Sequence, residues 1–374
     1  MTIKHSFRLL VTVAILACTA CRRVPSAQME FVLGTVCGIN LYEYGSGKLY
    51  ARIFSRVREI DRTMGVRTTD FQELLGGGIV EPDSAAAQAA EDSAAAIVSG
   101  IVKINENAGV SPVKVRADII EVLERAKYYA ELSGGAFDPT VGPLVNLWGI
   151  GTGGERIPGR EEIARALALV NWRDLIIDAE ARTAFLRRPG MALDLGAIAK
   201  GYAADEAVRL AREGGVKHAL FDFGGNIAAL GAKNSGGKTK TEAVPWRIGI
   251  QDPLIERGNY IGVLTAQDKS IVTSGVYERY FESDGRRYHH ILSTTDGFPV
   301  NNGLLSVTII ADKSIDADGL STAVFALGHE KGRALVNSIP GAGAVFIFDD
   351  RAVRITGNLR DTFALTSDEY TLAE

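Results

Sequence analysis

Short β-strand signals alternate with helical stretches along this sequence, but they do not follow a regular strand–helix–strand rhythm. Residues 31–44 show the alternation of a strand, and apolar residues over 50–64 then recur at helical spacing. A doubly wound parallel sheet requires the regular rhythm, so we predict an α+β fold with mixed or antiparallel sheets and packed helices. Further helices are predicted over 161–169, 197–212, 318–327 and 330–337.

Length and charge narrow the class of protein further. The 374 residues exceed what one small core needs, and no internal repeat is visible, which disfavours solenoids and propellers. The formal net charge of -4 provides no basic footprint for nucleic acid. Three cysteines at positions 18, 21 and 37 are too few for a disulfide scaffold, and no His/Cys cluster has zinc spacing.

The first 21 residues resemble a bacterial lipoprotein signal peptide. A positive start that includes Lys4 is followed by an apolar run over 9–17, which is shorter than the roughly 20 residues that span a bilayer. Small residues then precede Cys18 and Cys21, and the smaller pair before Cys21 favours it as the lipidated residue. We expect residues 22–374 to form one soluble periplasmic domain, lipid-anchored to the inner membrane. The alternative is an uncleaved segment buried in the fold.

Three glycine-containing segments are candidates for backbone that approaches a ligand closely. Residues 134–144 place glycine and proline around Asp138, which also fits a helix C-cap followed by a rigid loop. Residues 193–205 run from an apolar strand through glycine into a helix with Lys200, where N–H groups and an amine can meet a phosphate. A solvent-facing Lys200 explains that segment equally well. Residues 222–226 put a glycine pair at a strand end, which a β-bulge also explains.

Two polar clusters lie downstream of the glycine segments. A turn at 284–285 predicts a hairpin that carries His289 and His290, of which at most one can point into a given cleft and move a proton there. Residues 316–323 start a helix on which Asp318 and Thr322 share a face and offer hard oxygen ligands suited to Mg²⁺. Two ordinary half-buried strand histidines and an N-terminal helix cap are the alternative interpretations.

In wording and order, these segments resemble the FAD:protein FMN transferase family, the ApbE-like flavin-trafficking lipoproteins. The resemblance implies an α+β fold related to the T-fold. It also implies a Mg²⁺-dependent transferase that splits FAD at its pyrophosphate, attaches FMN to a threonine of a partner flavoprotein and releases AMP. The matching blocks cover 33–35, 134–149, 193–205, 219–227, 246–253, 273–281, 289–300 and 317–323.

The same resemblance implies roles for individual residues. Asp318, Thr322 and the backbone carbonyl of Ala197 would hold Mg²⁺. We expect His290 to stabilise the transferring phosphate, and Asp318 both to bind the metal and to assist deprotonation of the incoming hydroxyl. The residues expected to contact the flavin, the phosphates or the nucleotide are Met64, Ala136, Phe137, Asp138, Asp194, Lys200 and Ile291.

The N-terminal third departs from the family pattern. Arg67 stands near the position where an aromatic residue covers the flavin, and residues 76–98 form a glycine- and alanine-rich insertion that we expect to be mobile. Gly319 replaces a larger small residue, which should matter little for metal binding. An open flavin cover would favour hydrolysis, so a Mg²⁺-dependent FAD pyrophosphatase is the nearest alternative, and a non-catalytic periplasmic FAD-binding lipoprotein is another. The expected acceptor is a subunit of a redox-driven ion pump of the RNF or sodium-translocating NADH:quinone reductase type.

Overall fold

The computed structural model describes residues 27–42, 44–66, 99–233 and 244–373. The predicted signal peptide with Cys18 and Cys21, Arg67 and the insertion at 76–98 lie outside these ranges. Among the helices within them, none is long and apolar enough to cross a membrane. The helices are α1 (Gly47–Met64), α2 (Gly100–Glu106), α3 (Ala117–Leu132), α4 (Gly142–Trp148), α5 (Arg160–Leu167), α6 (Ala199–Glu213), α7 (Ser314–Leu327) and α8 (His329–Asn337).

A nine-stranded sheet forms the centre of the described structure, in the order β1-β2-β6-β7-β10-β13-β14-β15-β17. Its neighbouring strands are antiparallel except for the parallel pair β15–β17. The hairpin β11–β12 and the sheets β16-β9-β8 and β3-β5-β4 are separate. These sheets and the packed helices confirm the predicted α+β class. The strands are β1 (Gln28–Val32), β2 (Thr35–Leu41), β3 (Val113–Lys114), β4 (Leu175–Asp178), β5 (Thr183–Leu186), β6 (Ala219–Phe223), β7 (Asn226–Leu230), β8 (Trp246–Gln251), β9 (Tyr260–Ala266), β10 (Lys269–Gly275), β11 (Tyr280–Ser283), β12 (Arg286–His289), β13 (Leu304–Ala311), β14 (Gly343–Phe348), β15 (Ala352–Ile355), β16 (Phe363–Leu365) and β17 (Thr371–Leu372).

The central sheet has a hydrophobic core on each face. Side chains alternate between the two faces along each strand, so neighbouring residues of one strand belong to different cores. Val272 of β10 and Ile309 of β13 belong to the main core, which the helices α1, α3, α6 and α7 complete. Their neighbours Ile271 and Ile310 belong to a second core on the other face, shared with β8 and β9. Burial of each such side chain stabilises the fold by roughly 1.5–3 kcal/mol. The sheet is therefore a firm base for the helices packed on it.

Two predicted strands take a different form in the structure. Residues 28–41 form a hairpin where one strand is predicted from residue 31 onward, because Leu33 and Gly34 have positive φ values of 58° and 68° and reverse the chain. The apolar residues 193–195, predicted as a strand before Lys200, belong to no sheet strand. Side-chain hydrogen bonds of 2.7 and 3.1 Å from Asn105 occupy the backbone N–H and carbonyl of Leu193 instead.

Helix α7 begins at Ser314, one turn earlier than predicted, so Asp318 lies inside the helix and is not its cap. The cap comes from α6. The carboxylate of Asp205 accepts the backbone N–H groups of Ser314 at 2.8 Å and Ile315 at 3.0 Å. Asp316 is also not a cap, since its carboxylate pairs with Arg125. The N-terminus of α7 is thus held by a side chain of the neighbouring helix.

Candidate active site

Helices α6 and α7 cross in backbone contact, and this crossing positions the predicted metal-binding carboxylate. The N–H of Gly201 in α6 donates a hydrogen bond of 2.8 Å to Oδ2 of Asp318 in α7. A Cβ atom at position 201 would lie 2.4 Å from the carbonyl oxygen of Ser314 and 2.7 Å from Cα of Ile315. Side chains do not fit at that separation, so this glycine lets the two helices approach closely enough for the bond to form.

The carboxylate of Asp318 is buried, with 3% of the residue exposed. Its Oδ1 stands 3.8 Å from Nζ of Lys200, which donates a hydrogen bond of 3.0 Å to the carbonyl oxygen of Gly196. Burial raises the pKa of Asp318 above its usual range, while the Lys200 charge and the Gly201 N–H act in the opposite direction. Within the described residues Oδ1 accepts no hydrogen bond, so it has capacity to bind a cation.

Hydroxyl groups line the face of α7 that carries Asp318. Thr322 lies one helical turn later, and its Oγ1 is 3.3 Å from Oγ of Ser274 in β10. Ser274 also hydrogen-bonds to Oγ of Ser321 at 2.9 Å. Carboxylate and hydroxyl oxygens suit Mg²⁺, so the donor set fits this ion. The described part of the chain contains no group of three or more His, Cys, Asp or Glu side chains that could hold a metal. Phosphate oxygens and water would have to complete the coordination.

The hairpin β11–β12 turns at Asp284 and Gly285, as predicted, and orients its two histidines differently. His289 is buried, and its Nε2 is 2.8 Å from the carbonyl oxygen of Val300, so its ring has a structural role inside the fold. His290 follows the end of β12 and is half-buried. Its Nδ1 lies 3.2 Å from the carbonyl oxygen of Arg279, which also accepts the His290 backbone N–H at 3.0 Å.

The contact with Arg279 determines the protonation of the His290 ring. A carbonyl oxygen only accepts, so Nδ1 carries the proton and Nε2 keeps a lone pair. Burial, and after it the Arg279 charge, lowers the pKa of His290 to about 3, and Lys200 contributes in the same direction. His290 is therefore neutral near pH 7, and Nε2 can accept a proton. The charge of Lys200, which lies 3.8 Å from Asp318, contributes to lowering the pKa of both His290 and Asp318.

Of the three residues predicted to line the nucleotide pocket, Asp138 and Phe137 have contacts that hold the loop at 134–141 together. Asp138 accepts the backbone N–H of Thr140 at 2.8 Å, its hydroxyl at 2.7 Å and the backbone N–H of Trp172 at 2.9 Å. Burial raises the pKa of Asp138 despite these hydrogen bonds. Phe137 is 4% exposed and belongs to the main core. Ala136 lines a cleft beside this loop.

That cleft has a volume of about 550 Å³. It lies between the loop that contains Ala136, the segment 293–302 and the C-terminal end of α7. Ala326 in its wall is eight residues beyond Asp318, which corresponds to roughly 12 Å along the helix axis. The cleft and the carboxylate thus lie at the two ends of one short stretch of α7.

The other predicted site residues divide between the site and the core. Asp194 precedes α6, and its N–H donates a hydrogen bond of 2.9 Å to the carbonyl oxygen of Pro139, which ties the two glycine-containing segments together. Ala197 lies in the turn immediately before α6. Ile291 and Met64 are 5% and 2% exposed and pack in the main core. In this structure Met64 presents almost no surface to a ligand.

Several residues of the site have no predicted role. Ser274 was part of a recognised motif, but only the contact between β10 and α7 reveals that it meets Thr322. Gly201 and Asp205 join α6 to α7 across more than 100 residues of sequence. Sequence spacing carries no signal for such long-range contacts. Arg279 belongs to a matching block, yet its link to His290 depends on the geometry of the hairpin.

Gly319, the departure noted within the α7 motif, has a local packing reason. A Cβ atom there would lie 2.6 Å from Cδ2 of Tyr129 in α3. Tyr129 is 1% exposed, so its ring has little freedom to move away. The glycine makes room for this ring beside the residues Asp318 and Thr322 of α7.

Comparisons with known proteins agree with the motifs. A model described as the ApbE family matches residues 84–346. The chain is 36% identical to the FAD:protein FMN transferase of Treponema pallidum, over 92% of this chain and 91% of that one. It is 39% identical to an FAD:protein FMN transferase of Klebsiella pneumoniae, over 73% and 82% of the two chains. The solved ApbE protein of Thermotoga maritima is similar with a TM-score of 0.73 and 30% identity, covering 90% of this chain and 98% of that one.

Proposed function

The chain belongs to the ApbE family, and from this premise we propose that it is an FAD:protein FMN transferase. It uses Mg²⁺, attaches FMN to a threonine hydroxyl of a partner flavoprotein and releases AMP. The observation that carries the proposal is the meeting of Asp318, Thr322 and Lys200 at the crossing of α6 and α7, with His290 beside them. This set combines oxygen ligands for a cation, a positive charge for phosphate and a proton acceptor.

The reaction is a phosphoryl-type transfer, in which positioning and charge neutralisation dominate. The threonine oxygen forms a bond to the FMN phosphorus, the bond to the bridging oxygen breaks, and AMP leaves with that oxygen. Asp318, Thr322 and the carbonyl of Ala197 would hold Mg²⁺, which when bound supplies neutralisation of phosphate charge. Lys200 contributes a second positive charge at the phosphates, and the cleft at Ala136 takes the nucleotide half.

His290 takes the proton of the incoming threonine. Because its Nδ1–H is committed to the Arg279 carbonyl, the remaining Nε2 is an acceptor and has no proton to donate to phosphate. The role proposed here therefore differs from the phosphate-stabilising role expected from the sequence. Negative phosphates beside the ring would raise its pKa toward the usual value and strengthen it as a base when substrate is bound. Asp318 is left to bind the cation.

One assay separates this function from its alternatives. The purified protein is incubated with FAD, with and without Mg²⁺, and with a peptide that contains an acceptor threonine. We expect FMN linked to the peptide and free AMP, both only with Mg²⁺. Free FMN in place of linked FMN would identify a pyrophosphatase, and intact bound FAD would identify a carrier.

The proposed acceptor is a subunit of a redox-driven ion pump of the RNF or sodium-translocating NADH:quinone reductase type, and the proposed location is the periplasmic side of the inner membrane. The charged, apolar and small segments of residues 1–21 support the location. Replacement of Cys21 with alanine should release the protein from the membrane fraction, whereas Cys18→Ala should not. Retention of both variants would contradict anchoring at Cys21.

Replacement of Gly201 with alanine is expected to lower FMN transfer about 100-fold. The new Cβ would clash with the backbone of α7, separate the helices and displace Lys200 from Asp318, and an ångström of misplacement costs about this much. The measurement is kcat/KM for FAD alongside the melting temperature. Gly47→Ala is the control, since nothing lies within 4 Å of a Cβ built there. Equal activity of the two variants would show that the crossing is not needed.

A further inference from the structure

The side chain of Arg279 packs against two glycine turns, and its backbone carbonyl oxygen is the one that contacts the ring of His290. Its Cδ is 3.3 Å from where a Cβ of Gly151 would be, and its Nη2 is 3.3 Å from where a Cβ of Gly34 would be. Both glycines have positive φ, at 78° and 68°. The aliphatic part of the side chain thus follows one turn and the guanidinium reaches the other. The residue is exposed, so a ligand can reach its guanidinium.

The guanidinium of Arg279 has no carboxylate within 4 Å in the described part of the chain, because the acidic groups of the adjoining segments are committed elsewhere. Glu278, its sequence neighbour, pairs with Arg257 at 2.6 Å. Glu155 accepts three backbone N–H groups of its own loop at 2.9–3.1 Å. Asp61 accepts a backbone N–H of the β1–β2 turn at 3.1 Å. The fold therefore leaves this cation available to a ligand.

The charge of Arg279 also reaches the reacting centre. Its own carbonyl oxygen lies 3.2 Å from Nδ1 of His290, and after burial its positive charge also lowers the pKa of that ring. Lys200 acts on the same ring and on Asp318. Arg279 contacts His290 through its carbonyl and Lys200 lies 3.8 Å from Asp318, and two cations around these residues favour a ligand that carries more than one negative charge.

We propose that the Arg279 guanidinium binds a phosphate of the substrate pyrophosphate and neutralises the charge that develops as the bridging bond breaks. This inference rests on the proposed function. When the bridging P–O bond breaks, its electron pair stays on the oxygen that leaves with AMP, so AMP carries one more negative charge than it did within FAD. The threonine proton goes to Nε2 of His290. A planar guanidinium can offer two parallel N–H donors to phosphate, which an ammonium cannot do.

The test compares three substitutions at Arg279. Arg279→Met keeps most of the aliphatic chain along Gly151 and removes the charge, Arg279→Lys keeps the charge without the paired donors, and Arg279→Ala removes both. The carbonyl that holds His290 belongs to the backbone and remains in all three. We expect kcat/KM for FMN transfer to fall about 100-fold in the methionine and alanine variants and about 10-fold in the lysine variant. Arg287→Ala is the control, because Arg287 lies on the same hairpin but pairs with Glu282.

A binding measurement gives a readout that does not depend on turnover. Titration calorimetry with ADP, whose diphosphate resembles that of FAD, should show affinity about 10-fold weaker in Arg279→Met than in the wild type, and less dependence on salt. Riboflavin, which has no phosphate, should bind equally well to both. Unchanged ADP affinity, or a methionine variant as active as Arg287→Ala, would overturn the inference. If the wild type transfers no FMN at all, the proposed function fails and the ADP comparison alone decides the role of Arg279.

Discussion

Replacement of Asp318 with asparagine is expected to abolish FMN transfer almost completely, with a loss of about 1,000-fold or more in kcat. The amide has nearly the same shape and can still accept the Gly201 N–H, but it carries no negative charge for Mg²⁺. Folding should not suffer. Burial raises the pKa of Asp318, which means that the site disfavours the charged form when no cation is bound, and a neutral amide avoids that cost.

Thermal unfolding tests the same substitution without any turnover. A ligand that binds only the folded state raises the melting temperature, so Mg²⁺ with ADP should stabilise the wild type and leave Asp318→Asn almost unchanged. Asp316→Asn is a matched control on the same helix, because Asp316 pairs with Arg125 outside the site. If Asp318→Asn kept a tenth of the activity, or gained as much stability from Mg²⁺ as the control, Asp318 would not be the metal ligand.

Replacement of His290 with alanine is expected to lower kcat by 100- to 10,000-fold while FAD affinity stays close to that of the wild type. His290→Asn refines the test. Its side-chain amide can donate to the Arg279 carbonyl as Nδ1 does, but it has no group equivalent to Nε2. Equal losses in both variants would identify Nε2 as the proton acceptor. Recovery of activity in the asparagine variant would mean that His290 only supports the hairpin.

The pH dependence of the wild type offers an independent check on His290. The active form is the neutral ring, and protonation inactivates it as the pH falls through the pKa. Because the pKa is lowered to about 3 in the free protein, kcat/KM should show no inflection near 6.5, the ordinary pKa of histidine. An acid limb near 6.5 that disappears in His290→Asn would contradict the depressed pKa.

The elements that the sequence predicts best are those set by local pattern. The β11–β12 hairpin follows from its Asp–Gly turn, and the shared face of Asp318 and Thr322 follows from helical spacing. What pattern does not supply is which segments meet. The Gly201 hydrogen bond spans 117 residues, and the contact of Ser274 with Thr322 spans 48. Contacts of this kind arise from packing on the central sheet.

Whether a site residue inferred from resemblance can contact a ligand depends on the direction of its side chain. The carboxylate of Asp138, predicted at the nucleotide, accepts hydrogen bonds from Thr140 of its own loop and from the N–H of Trp172. Met64 was expected at the flavin, but the amphipathic pattern of α1 turns it toward the core. An alignment of motifs gives positions along the chain, whereas burial decides which atoms a ligand can touch.

The reciprocal hydrogen bonds between α6 and α7 have a consequence for how the protein works over a reaction cycle. Asp205 of α6 holds amides of α7, and Gly201 of α6 gives its own amide to Asp318 of α7. Hydrogen bonds therefore connect α6 and α7 at two points, and we expect the two helices to move together as one rigid unit. The β11–β12 hairpin that precedes His290, in contrast, pairs only with itself in the described structure. Hydrogen exchange of backbone amides should therefore be slow in α6 and α7 and faster in the β11–β12 hairpin.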